Sequence, residues 1–165
     1  MIVSNSSPLI NLSAINQLEL LRMIYGEIAI PYAVWDEVVV KGKGQPGAKN
    51  VKNANWIKKM KVGNVHLVES LALTLDYGEA EAIALAKERN AELLLIDERL
   101  ARTMAKHLGI KYIGLLGVLK EAKSRGLITG MKPYMHSLRT VAGFWVAENV
   151  YKDILSIEGE WEINE

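Results

Sequence analysis

Short apolar runs alternate with helix-period segments along this chain, and that alternation limits its fold more than any other feature. Met1–Ser4, Glu27–Ile30, Glu92–Ile96 and Lys111–Ile113 are too short for independent helices and read as buried strands. Between them lie helical patterns. One runs through Leu18, Leu20, Leu21 and Ile24 and closes at Gly26; another starts at Pro31, buries Val34, Trp35 and Val38, and ends by Gly42. Glu79–Arg89 is apolar on most sides, as a buried helix must be. Glu98–His107 and Leu115–Ser124 follow, closed by Gly109 and Gly126. The pattern predicts an α/β fold, a parallel sheet between helices on both faces.

Other segments are less constrained. Ser7 followed by Pro8 predicts an N-cap and a first helical residue. Trp56–Val62 and His66–Val68 fit strand or helix equally. Beyond Thr129 two more helices are expected, at Pro133–Val141 and Ala147–Ser156. The 165 residues are expected to form one domain, with a helical extension from about residue 130.

Composition excludes several chemistries. Without cysteine there is no disulfide, thiolate nucleophile or zinc–thiolate centre. His66, His107 and His136 are scattered at no ligand spacing and are read as structural. No apolar run reaches the roughly 18 residues that span a bilayer. Ser4 to Ser7 interrupt the N-terminus before a signal segment could form. The expectation is a soluble, cytoplasmic protein with no membrane partner. The net charge of +1 says nothing about nucleic acid. Locally, Lys41, Lys43, Lys49, Lys52, Lys58, Lys59 and Lys61 form an acid-free stretch. It suits phosphate, and it equally suits a solvated strand edge.

The chemistry lies in the placement of the acids. In an open parallel sheet, polar groups at the carboxyl ends of the strands converge on one crevice. Asp97 follows Leu93–Ile96, where it serves either as N-cap of Glu98–His107 or as a crevice ligand. Glu98 complements the helix dipole. Glu79 opens its helix within reach of Asp97, and Glu81, two residues on, faces elsewhere and is kept as its support. Carboxylates without histidine or cysteine motifs suit a hard divalent cation. Asp36 and Glu37 default to a solvated face. The glycine-rich Lys41–Gly47 lacks the phosphate-loop pattern, and no G-x-S-x-G elbow makes Ser4, Ser6 or Ser7 a nucleophile. Trp35, Trp56, Trp145 and Trp161 are read as packing residues. A receiver domain would need an acidic pair after the first strand, and a haloacid-dehalogenase-like phosphatase D-x-D; Ser4-Asn5-Ser6 stands there instead.

Several strings occur in order: Ile2–Ile10, Ile30-Pro31 to Glu37-Val38, Gly78–Ala82, Leu94–Arg99, Gly114–Leu119 and Lys123–Ile128. Together they resemble an uncharacterised prokaryotic branch of the PIN-domain superfamily, described as predicted nucleic-acid-binding proteins related to VapC-type toxins. The resemblance implies a three-layer α/β/α fold with a central parallel sheet. It also implies acids that bind Mg²⁺ or Mn²⁺ to cleave RNA phosphodiesters. By position those acids fall on Glu37, Glu79 and Asp97, as catalytic residues and metal ligands. The remaining metal position, usually Asp, falls on Asn5. Ser6 falls where a hydroxyl often accompanies the first acid.

An amide at position 5 keeps an oxygen for a hard cation but loses a charge and a carboxylate base. Two functions therefore follow. One is a metal-dependent endoribonuclease, the toxin of a toxin–antitoxin pair, with Arg99, Arg102, Lys41 and Lys43 holding the RNA backbone. The other is a catalytically impaired PIN module that binds RNA or a protein partner without cleavage. A small antitoxin protein and a homodimer, paired through the face of Leu18, Leu21 and Ile24, are the further expected partners.

Overall fold

The computed structural model describes residues 1–161. Five parallel strands form one sheet: β1 (Ile2–Ser4), β2 (Ile28–Pro31), β3 (Ile57–Met60), β4 (Leu93–Leu95) and β5 (Tyr112–Ile113). Their spatial order is β3-β2-β1-β4-β5. The chain winds outward from β1 to β2 and β3, then crosses back to place β4 on the other side of β1. The order thus reverses between β1 and β4, and the loops leaving those two strands part to leave a crevice at their carboxyl ends. The register aligns Ser4 with Leu95, and the Asn5 N–H donates to the Leu95 carbonyl at 3.0 Å. Asn5 and Asp97 therefore leave the sheet side by side.

The three central strands, β1, β2 and β4, bury both faces. Ile2, Ile28, Ile30, Leu93 and Leu95 point to one side, and Val3, Ala29, Leu94 and Ile96 to the other. This is the period-two alternation of a strand inside a covered parallel sheet. The first side packs on α1 (Ser6–Ala14), α2 (Glu19–Tyr25), α8 (Leu115–Ser124), α9 (Lys132–Thr140) and α10 (Glu148–Ile157). The second packs on α5 (Val65–Leu71), α6 (Tyr77–Glu88) and α7 (Arg99–His107). The remaining helical segments, α3 (Tyr32–Trp35), a π-helical turn at Asp36–Lys41 and α4 (Ala48–Asn53), follow β2. Among the described residues no helix is long and apolar enough to cross a membrane.

The ambiguous segments divide into strand β3 and helix α5. β3 is an edge strand, and Lys58 and Lys59 are exposed on it. Lys59 lies over the rings of Tyr32 and Trp35, at 5.1 and 4.8 Å from their centroids. Lys58 and Lys59 of the basic stretch thus serve strand-edge protection, and Lys59 cation–π packing as well.

Some sequence expectations are corrected. Asn5, not Ser7, is the N-cap of α1, and Pro8 is its third residue. Proline is tolerated there because the first-turn N–H groups have no intrahelical acceptor. Pro31 ends β2 rather than opening a helix, and the Pro31–Gly42 helix changes winding at Asp36 to a π-helix. Leu18, Leu21 and Ile24 are buried in the chain's own core, so that face is not open for pairing. The two C-terminal helices complete the same core through Met135, Leu138, Tyr151 and Leu155.

Candidate active site

Asn5, Ser6, Glu37, Asp76, Glu79, Asp97 and Glu98 line one hollow of about 400 Å³ at the crevice. Each arrives there for a local reason. Asn5 ends β1, and its side chain makes no bond to α1, which leaves the amide available to the cleft. Glu37 lies in the first turn of the π-helix, whose wider winding shifts side chains off the ordinary α-helical register. Asp76 caps α6 by accepting the Glu79 N–H at 2.8 Å. Every residue from Gly78 to Ala86 of that helix is buried, four of them alanines that allow close approach to the sheet. The close seating brings the mouth of α6 to the crevice.

Gly78 shows how tightly the acids meet. A Cβ on it would lie 2.7 Å from Glu37 Oε2, 3.6 Å from Asp76 Oδ1 and 3.8 Å from Asn5 Oδ1. Glu81 does not reach this hollow. Its Oε1 accepts the Ala33 N–H at 3.0 Å, which ties the start of α3 to α6. It supports Glu37's segment rather than Glu79.

Asp97 is likewise not the cap of its own helix. Glu98 takes that role, accepting the Ala101 N–H at 2.9 Å. Asp97 Oδ1 instead accepts the Leu115 N–H of α8 at 2.9 Å, while Oδ2 is buried without a partner among the described residues. A carboxylate at the N-terminus of α8 also complements that helix dipole. A Cβ on Gly114 would fall 2.6 Å from Asp97 Oδ1, and the Gly114 backbone suits any residue, with φ at −94°. Gly114→Ala is therefore expected to act only through Asp97. It should cost about 1–2 kcal/mol by displacing the carboxylate from Leu115. In urea titrations the loss should shrink when Asp97→Ala is combined with it; an additive double variant would refute the contact.

Burial sets the electrostatics. Desolvation raises Glu37, Glu79 and Asp97 above the usual carboxylate range, Glu79 to about 8. For Glu79, the neighbouring Asp76 and Glu98 add to the rise. The Ser6 hydroxyl, which has no partner of full hydrogen-bond geometry, offsets part of the rise at Glu37. For Asp97 the Leu115 N–H and Arg102 do so. The hollow thus gathers acids with too little positive charge.

Those donors are all oxygens, and their raised pKa values and the orphaned Asp97 Oδ2 fit a hard divalent cation. Among the described residues no three acids or histidines are close enough to hold an ion directly. Ligation partly through water, as Mg²⁺ favours, suits that spacing.

Of the basic candidates, Arg99 and Arg102 border Asp97 on the far side of the crevice. Lys41 pairs with Asp36 at 3.4 Å and lines an adjoining hollow with Glu37 and Asp76. Lys43 sits in the exposed turn beyond. Sequence reasoning missed Asp76, although an acid three residues before Glu79 is a capping-box signal. It also missed that Trp145 is 82% exposed.

No curated protein matches this chain. A PIN-domain family model matches residues 1–160. That family's fold is of nuclease type and generally uses divalent metals, as the parallel sheet and acid-lined crevice accord with. The chain belongs to the PIN-domain family.

Proposed function

We propose that this protein is a metal-dependent endoribonuclease that cleaves RNA phosphodiester bonds. The observation that carries this reading is the convergence of Glu37, Asp76, Glu79 and Asp97 on one hollow, with pKa values that burial holds high at three of them. When bound, Mg²⁺ or Mn²⁺ supplies Lewis acidity that offsets charge building on the phosphate and eases ionisation of water. Glu37, Glu79 and Asp97 would hold the ion, partly through water, and Asn5 would add a neutral oxygen. Asp76 restores some of the charge that Asn5 lacks. Before the ion binds, Glu79 carries a proton on its carboxyl at neutral pH. Arg99 and Arg102 hold backbone phosphates, so affinity falls as salt rises. The toxin role and a small antitoxin partner rest on the family resemblance alone.

Asn5 itself favours a second reading, a PIN module that binds RNA or a protein without cutting. Calorimetric titration of chelator-treated protein with Mn²⁺, followed by RNA cleavage assays, separates the two. The nuclease reading expects Mn²⁺ binding and cleavage by the native chain, and about tenfold tighter binding in Asn5→Asp. Binding and cleavage confined to Asn5→Asp would select the non-catalytic module.

A further inference from the structure

A groove of about 640 Å³ runs from Asp97 between β5, the start of α8 and the segment leading into α10. Its walls include Leu116, Phe144, Trp145 and Val150, with Arg99 and Arg102 at the rim. Trp145 is 82% exposed and Val150 40% exposed. An indole left in water beside a catalytic crevice forgoes the burial that would otherwise stabilise it. The neighbouring hollow, on the outer face of α7, is lined by Arg99, Arg102, Thr103, Lys106, His107 and Tyr112, without an acid among them. Arg102 lies 5.2 Å from the Tyr112 ring centroid, which holds its guanidinium plane in place. Charge therefore changes sign across Asp97: acids on the crevice side, bases and an open aromatic face on the other.

We propose that this groove is a track for single-stranded RNA in which Trp145 stacks a base, while Arg99, Arg102 and Lys106 hold the adjoining backbone. The inference rests on the nuclease reading and deepens it by naming how the substrate leaves the cleft. A polyanion threading the acid site must leave it, and this is the side with complementary charge. Aromatic stacking with basic backbone contacts is how single strands are held without sequence preference. A duplex hides its base faces from Trp145.

The test is fluorescence anisotropy of a short labelled oligouridine in excess EDTA, where binding is read without cleavage. Trp145→Ala is expected to weaken binding about tenfold. Trp145→Phe should restore most of it, and Lys106→Gln should flatten the salt dependence. Because the indole is exposed, thermal melts should not change, which separates lost stacking from lost folding. The oligouridine paired with oligoadenosine should bind more weakly than the single strand. Native-like binding by Trp145→Ala, equal binding of the duplex, or no binding by the native protein would each overturn the track, the last leaving a protein partner for the groove. A protein that binds RNA in this way but never cuts it sinks the nuclease reading and leaves the track standing. Cleavage with unchanged single-strand binding in Trp145→Ala does the reverse.

Discussion

Asp97→Asn is expected to cut Mn²⁺-dependent RNA cleavage by roughly 100-fold or more while making the metal-free protein more stable. The two effects have one cause. Asp97 is half-buried; one oxygen accepts from Leu115, and the other is sealed from solvent with no partner among the described residues. Burial raises its pKa despite the opposing Leu115 N–H and Arg102, so the folded state disfavours the charge it holds. The amide keeps an acceptor for Leu115 and removes that charge. A rise in melting temperature of about 2–4 °C corresponds to about 1 kcal/mol in a domain of this size. Asp97→Ala removes the Leu115 acceptor as well, and an unpaired buried N–H costs about 1–3 kcal/mol. It should lose activity without gaining stability. Unchanged metal-dependent cleavage in either variant would remove Asp97 from the site. A less stable Asp97→Asn would show that its charge is compensated in the fold.

Without metal, the protein is expected to lose stability as pH rises from about 5 to 8. The folded state keeps a proton on Glu79 up to about pH 8, whereas the ordinary value is 4.5. Between these values the folded form binds more protons than the unfolded chain, so raising the pH favours unfolding. The contribution is fully present below 4.5 and is lost as pH climbs through the folded value. Glu37 and Asp97 are shifted in the same direction, chiefly by burial, and act with the same sign. Glu160 is the exception. Burial works upward on it, but the N–H groups of Lys132 and Met131 and the Lys123 ammonium outweigh that and lower it. Its stabilisation is lost as pH falls below the ordinary carboxylate range, outside this window. Glu79→Gln should therefore raise the melting temperature at pH 8 by about 5 °C and hardly change it at pH 5. Mn²⁺ displaces the same protons, so its stabilising effect should grow with pH across the window. Thermal melts in EDTA and in Mn²⁺ at several pH values measure both trends. A metal-free melting temperature that climbs between pH 5 and 8 would contradict the protonated Glu79.

Four of the five strands and most helices were legible in the sequence because they depend on local periodicity and on glycine stops; β3 was not, since Trp56–Val62 fits strand or helix. Leu93–Leu95 reads as a buried strand by its shortness, and the alanine-rich run after Glu79 as a buried helix by its length. The acid positions were legible to the same extent, as strand ends and helix starts. Local patterning was less informative about which donor each acid serves. Of the neighbours Asp97 and Glu98, Asp97 has the better capping propensity, yet the position of α8 draws Asp97 to Leu115 and leaves α7 to Glu98. Glu79 and Glu81 divide in the same way, one to the crevice and one to Ala33.

By itself the sequence determined the α/β alternation, the absence of thiol chemistry and an oxygen-rich set of candidate ligands with an amide at position 5. These follow from residue identity and short-range periodicity. Tertiary structure alone decided that Asp76 joins the hollow, that Leu18, Leu21 and Ile24 are spent on the core, and that Trp145 stands open beside Arg99 and Arg102. Each of these depends on which distant segments pack together. Burial and the pKa shifts it causes belong to that packing, because a side chain's solvent is set by its neighbours in space.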